Sequence, residues 1–145
     1  MNPNSTYTVS VSGVQDLSGN GLTVPSTTTF TTGTGADLTP ATVTTESPAN
    51  GAGGVPTNAV IQVQFSKRVD PLTVNTADFL VFPQATFIPV AGTISVSADG
   101  LTATFTPSSP LNPSTGYFIE VTGGVLDLEG LTLQGIFTSF TTGTQ

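Results

Sequence analysis

The chain contains no cysteine, no histidine and no tryptophan, and only two of its residues, Lys67 and Arg68, are basic. Each absence removes a class of chemistry. Without His or Cys there is no Ser-His-Asp or Cys-His nucleophile system, no thiolate and no zinc site of the usual kinds. Two cations cannot neutralise a phosphate backbone, so nucleic acid is not an expected partner. The nine acids leave a net charge of -7, which anionic membrane surfaces repel. No apolar run has the length needed to cross a bilayer, and no charged-then-apolar leader precedes the first strand. Met1 stands where a parallel later segment has Leu111, as an initiator placed ahead of a piece of something longer would. A missing leader then carries no information about export.

Charge itself is scarce, at 8% of 145 residues, while hydrophobic residues reach 37%. Disordered chains pair low hydrophobicity with high charge, and this chain has neither. Solubility rests on hydroxyls instead, since about one residue in five is Thr. Thr is β-branched and fits a pleated, half-exposed surface, so the composition favours strands. Sixteen Gly and eleven Pro cut the chain into short pieces joined by turns.

A segment of the chain occurs twice. Asn2-Pro3-Asn4-Ser5-Thr6-Tyr7-Thr8-Val9-Ser10-Val11-Ser12-Gly13 matches Asn112-Pro113-Ser114-Thr115-Gly116-Tyr117-Phe118-Ile119-Glu120-Val121-Thr122-Gly123. After one extra Gly at 124, Asp16-Leu17-Ser18-Gly19 matches Asp127-Leu128-Glu129-Gly130, and Phe30-Thr31-Thr32-Gly33-Thr34 matches Phe140-Thr141-Thr142-Gly143-Thr144. Thr and Gly alone can mimic a repeat, but not Pro, Tyr, Asp and Phe in one order at nearly constant offset. About seventy residues of strand-like sequence precede the second copy, and none precede the first. Residues 1–33 therefore read as the C-terminal part of a preceding module, 34–41 as a small, polar linker, and 42–143 as a complete module.

Within the complete module the hydrophobic period is two. Ile61, Val63 and Phe65 alternate with Gln62 and Gln64, and Leu101, Ala103 and Phe105 with Thr102 and Thr104. Each pattern buries one strand face. Ile94 and Val96 belong to a strand joined to the next by a tight turn at Ala98-Asp99-Gly100. Tyr117, Ile119 and Val121 share a face, echoed by Tyr7, Val9 and Val11. Further strands are expected near 42–46, 79–82 and 133–142, with one helical turn at 71–74 opened by Pro71. The fold class is all-β: an antiparallel β-sandwich of about seven strands, with an extra N-terminal hairpin of strands near 6–12 and 22–32.

The segment from Ser47-Pro48-Ala49-Asn50-Gly51 through Ile61-Gln62-Val63-Gln64-Phe65 to Val69-Asp70 resembles the opening of a bacterial immunoglobulin-like domain of the SbsA surface-layer type. Later markers agree: Phe105-Thr106-Pro107, Leu111-Asn112-Pro113 leading to Tyr117, Gly123-Gly124-Val125 with Asp127 and Gly130, and Phe140-Thr141-Thr142. The Leu111-x-Pro113 spacing before Tyr117 is also similar to the fibronectin type III pattern, against which the missing Trp argues. The resemblance covers about 43–142 and recurs in part at 1–32. It implies an immunoglobulin-like sandwich acting outside the cell as a spacer or interaction module in a tandem-repeat surface or secreted protein. No catalytic residues carry over from such domains. Two other roles stay open: a carbohydrate-binding accessory module and a calcium-dependent adhesin segment.

Tyr117, after Leu111 and Pro113, suits a tyrosine corner whose hydroxyl bonds to nearby backbone. Phe65, Phe105 and Phe140 are expected between the sheets. Asp16 and Asp127 sit in loops where a hard cation is conceivable, but calcium takes roughly six to eight oxygens, and a turn whose Asp bonds its own backbone fits better. Asp70, Asp78 and Asp99 read as turn acids too. Glycoside hydrolysis needs two carboxyls about 5–10 Å apart, and Glu120, the one acid inside a strand of the closing repeat, has no evident partner. Phe118 and Phe137 lie on faces opposite Tyr117 and Phe140, where a sugar or a neighbouring loop would meet them. Lys67 in an isopeptide crosslink would need burial beside an acid, and the bacterial resemblance implies that the Asn4-Ser5-Thr6 sequon is incidental. No catalytic residue, cofactor site or metal site is assigned. The expected partners are neighbouring immunoglobulin-like modules or other copies of the chain, with hairpin 1–33 adding to a sheet edge or exchanging strands. Polysaccharide is a partner only under the accessory-module reading, and membrane insertion is not expected.

Overall fold

A computed structural model describes residues 1–21 and 24–145. Leu22 and Thr23, expected at the start of the second strand, lie outside the described residues. The chain divides into two compact units, Met1–Asp37 and Leu38–Gln145.

The first unit is a hairpin. β1 (Thr6–Val11) pairs antiparallel with β2 (Ser26–Thr31), setting Tyr7 opposite Phe30, Val9 opposite Thr28 and Val11 opposite Ser26. The two strands form a sheet of their own. Alternation puts Tyr7, Val9, Val11 and Phe30 on one face, and none of them is buried.

The second unit is a sandwich of eight strands. β3 (Val43–Ser47), β5 (Ile61–Phe65), β8 (Thr102–Pro107) and β7 (Gly92–Val96) form one antiparallel sheet in that order. β4 (Ala52–Val55), β10 (Ile136–Thr142), β9 (Gly116–Val121) and β6 (Phe79–Pro83) form the other. The inward residues are those of the two-residue period. Ile61, Val63, Phe65, Ala103 and Phe105 meet Phe79, Val81, Tyr117, Ile119, Val121 and Phe140 in one buried cluster. All three phenylalanines expected between the sheets are there.

Three local expectations are corrected. The sequence reading of about seven strands omits β4, which runs parallel to β10, so the sandwich is not antiparallel throughout. The chain leaves β3, crosses at Pro48–Gly51 and joins the opposite sheet, where the Gly51 N–H donates to the Ser139 carbonyl at 2.7 Å. Glycines at 51, 53 and 54 hid this strand, because Gly weakens a strand signal even where backbone pairing is satisfied. Residues 71–74 form no helical turn. The Asp70 carboxylate accepts the Leu72 N–H at 3.0 Å and the Asp70 carbonyl accepts the Thr73 N–H, a turn closed by its first residue. The last strand begins at Ile136 rather than 133, with Leu133 buried in the loop before it.

Candidate functional site

The β9–β10 hairpin and its connecting loops carry most of the residues that the sequence singles out. At its base the Asn112 N–H donates to the Tyr117 hydroxyl at 2.9 Å, which is the expected tyrosine corner. The Thr142 hydroxyl donates to the Asn112 carbonyl at 2.7 Å and accepts the Thr115 N–H at 2.9 Å. Tyr117 stacks on Phe140 with ring centroids 5.5 Å apart.

The first unit reproduces this cluster. The Asn2 N–H donates to the Tyr7 hydroxyl at 2.8 Å, and the Thr32 hydroxyl donates to the Asn2 carbonyl at 2.6 Å while accepting the Ser5 N–H. Tyr7 stacks on Phe30 at 5.7 Å. Asn4 and Ser114 both take positive φ, 50° and 49°. Pairing registers agree residue for residue, from Tyr7 opposite Phe30 with Tyr117 opposite Phe140 to Val11 opposite Ser26 with Val121 opposite Ile136. The sequence repeat is thus a repeat of geometry down to single hydrogen bonds.

The acids at the far ends of the two hairpins behave alike. Asp16 Oδ1 accepts the Ser18 and Asn20 N–H groups at 2.8 and 2.9 Å. Asp127 Oδ1 accepts those of Glu129 and Leu131 at 3.0 and 2.8 Å. Gly19 and Gly130 supply the positive φ that each loop needs, 85° and 79°. These are turn acids. The side-chain amide of Asn20, followed by its backbone N–H, holds the Asp16 carboxyl below the usual range. Asp127 differs in burial, being 1% exposed, and its Oδ2 accepts the Ala41 N–H at 3.3 Å, tying the loop to the start of the module. Ala41, the last residue of the expected linker, is itself fully buried.

Asp99 closes the β7–β8 hairpin by accepting the Ser97 hydroxyl and the Leu101 N–H, with Gly100 at φ 71°. These bonds, Ser97 first, hold its carboxyl below the ordinary value. A depressed folded pKa contributes stability that is complete above the unfolded value of about 3.9 and is lost as pH falls through the folded one. The melting temperature should therefore fall below about pH 4, and Asp99→Asn, which keeps the acceptor, should flatten part of that fall in melts recorded across this range.

Asp78 does more than close a turn. It accepts the Asn75 side-chain amide at 3.0 Å and also the Thr122 hydroxyl, joining the start of β6 to the loop after β9. A Cβ on Gly124 would lie 1.9 Å from its carboxylate, so the extra glycine of the second copy makes room for this bridge. Lys67 donates to the Thr39 backbone carbonyl. Glu120 lies on the outer face opposite Phe137 and next to Leu80 of β6.

Phe118 and Phe137 belong to a larger aromatic group on that outer face. Their rings are 4.6 Å apart, Phe82 lies 5.9 and 6.0 Å from them, and Phe87 lies 5.7 Å from Phe118. Phe87, at φ 56°, comes from the loop after β6, so Phe118 is half-covered by a loop while Phe137 stays 54% exposed. Sequence reasoning missed Phe82 and Phe87. Phe82 was within reach, since Phe79 and Val81 point inward and parity sends residue 82 outward. Phe87 sits in a loop without periodicity. The first copy has Thr8 and Thr27 at the positions of Phe118 and Phe137, so the cluster is not required by the hairpin itself.

Two facing sheets with a first strand divided between them and a tyrosine corner define an immunoglobulin-like sandwich. Residues 37–142 match the bacterial Ig-like domain family, and the chain belongs to it. None of the curated proteins matches the chain. Among solved structures, the S-layer protein rSbsC is 23% identical with a TM-score of 0.55, over 72% of this chain and 14% of that one. CopC from Methylosinus trichosporium OB3b is 14% identical with a TM-score of 0.60, over 71% and 93%. The L,D-transpeptidase from Mycobacterium smegmatis is 23% identical with a TM-score of 0.52, over 72% and 41%. At these identities the likeness is one of fold. This chain spans a small part of the S-layer protein. Among the described residues no helix is long and apolar enough to cross a membrane.

Proposed function

We propose that the chain is a non-catalytic structural or spacer module, of the SbsA surface-layer kind, from a tandem-repeat protein that works outside the bacterial cell. One observation carries the reading: a single hairpin design occurs twice in one polypeptide with the same register, corner and turn acids. A sandwich filled by its own side chains resists proteolysis and adds length without a reactive site. The groove beside the corner supports this, being lined by Pro83, Ile88, Val90, Pro110, Leu111 and hydroxyl-bearing residues rather than paired acids. The similarity to CopC does not bring copper with it, since the chain has one Met and no His or Cys to supply soft or imidazole ligands.

Antibody raised against Leu38–Gln145 should label unbroken cells of the parent bacterium or its secreted fraction. Labelling only after lysis would overturn the extracellular reading. Oδ1 of Asp16 and of Asp127 is already taken by backbone N–H groups, so chelator should leave the melting temperature unchanged. A fall that calcium reverses would favour the adhesin reading.

The ring of Phe137, 54% exposed beside Phe118, supports a second reading, a site for polysaccharide, because one exposed aromatic face offers an apolar surface to a sugar. Glycan-array binding lost in Phe137→Ala would establish it.

A further inference from the structure

The apolar face that the β9–β10 hairpin buries inside its own unit is exposed on the β1–β2 hairpin. Tyr117, Ile119, Val121 and Phe140 are buried against β5 and β8, whereas Val9, Val11 and Phe30, on the matching positions, stand 46%, 43% and 42% exposed. An isolated two-stranded hairpin is marginal in water. Tyr7, Val11 and Phe30 repeat Tyr117, Val121 and Phe140, Val9 is one methylene smaller than Ile119, and Ser26 stands in place of Ile136. What packs on the second face thus matches the first except beside Ser26.

We propose that the β1–β2 face is the closing half of a sandwich, and that its occupant is the β3–β8 portion of a like module lying directly before it in the same polypeptide. The proposal rests on the tandem-module reading above. Counting excludes exchange between copies as the way to cover this face. Each chain holds two closing hairpins, β1–β2 and β9–β10, but one opposing strand set, so any exchange still leaves one hairpin per chain uncovered. One polar atom of the first unit is also placed for that neighbour. Among the described residues Asp16 Oδ2 accepts from the Asn20 side chain, at the position where Asp127 Oδ2 takes the N–H of Ala41 from the module's start.

The test joins a second copy of residues 41–111 to Asn2 of the full chain, replacing Met1. A completed module should roughly double the calorimetric unfolding enthalpy, which scales with folded residues. Phe30→Asp in the joined chain should return it to the single value, while the same change in the original chain leaves its enthalpy as it was. Because Ser26 replaces Ile136 on this face, a joined chain carrying Ser26→Ile is measured alongside. If neither joined chain gains enthalpy and protease removes the added segment, the proposal is overturned. It is equally overturned if the original chain sediments as a dimer that Phe30→Asp dissociates, since a second copy would then be the occupant. Either failure leaves surface labelling by the Leu38–Gln145 antibody untouched, so the spacer reading is judged separately.

Discussion

Phe140→Ala should lower the stability of the Leu38–Gln145 sandwich by roughly 3–5 kcal/mol, while Phe30→Ala should leave that unit's urea midpoint where it was. The two residues hold the same place in the same hairpin, each opposite and stacked on a corner tyrosine. Only their surroundings differ. Phe140 is 1% exposed within the core, so truncation opens a cavity that the facing strands cannot fill. Phe30 borders solvent, and water replaces the lost ring. Against the roughly 5–15 kcal/mol typical of a domain, the first loss brings the sandwich close to unfolding. Equal effects at the two positions would contradict the distinction between a covered and an uncovered hairpin.

Asp127→Ala should be the next most damaging change. Its carboxylate accepts N–H groups from Ala41, Glu129 and Leu131 in a buried setting. Leaving buried donors unpaired costs about 1–3 kcal/mol each, so a loss of about 2–4 kcal/mol is expected once partial relaxation is allowed. Asp127→Asn retains an acceptor and should lose less. Asp16→Ala removes the same turn bonds where water can replace them, and the melting of Leu38–Gln145 should not respond. Chemical denaturation of the three variants, with the slope checked for constancy, separates these outcomes.

The strands were legible where one face is apolar and the other polar. Ile61-Gln62-Val63-Gln64-Phe65 and Thr102–Phe105 fold as the two-residue period requires, with Leu101 half-buried just before its strand, and both hairpins follow from a repeat visible in the letters alone. The tyrosine corner was legible because Leu, Pro and Tyr recur at fixed spacing in both copies. β4 was not, because its pairing is made by backbone and its glycines leave no side-chain pattern. Asp78 was read as a turn acid because sequence shows its neighbours and not Thr122, which lies 44 positions away. The outer aromatic group was half legible. Phe118 and Phe137 are placed by strand parity, whereas Phe87 reaches them only because a loop folds back over β9.

Hydrogen exchange on the intact chain tests the account most directly, because it reads every strand in one sample. Amides of β9 and β10, closed into the sandwich, should exchange only through global unfolding and stay protected longest. Those of β1 and β2, identical in pairing but forming a two-stranded sheet of their own, should exchange rapidly by local opening. Equal and strong protection of Thr6–Val11 and Gly116–Val121 would contradict the proposal that one hairpin design stands here once inside a sandwich and once as the closing half of another.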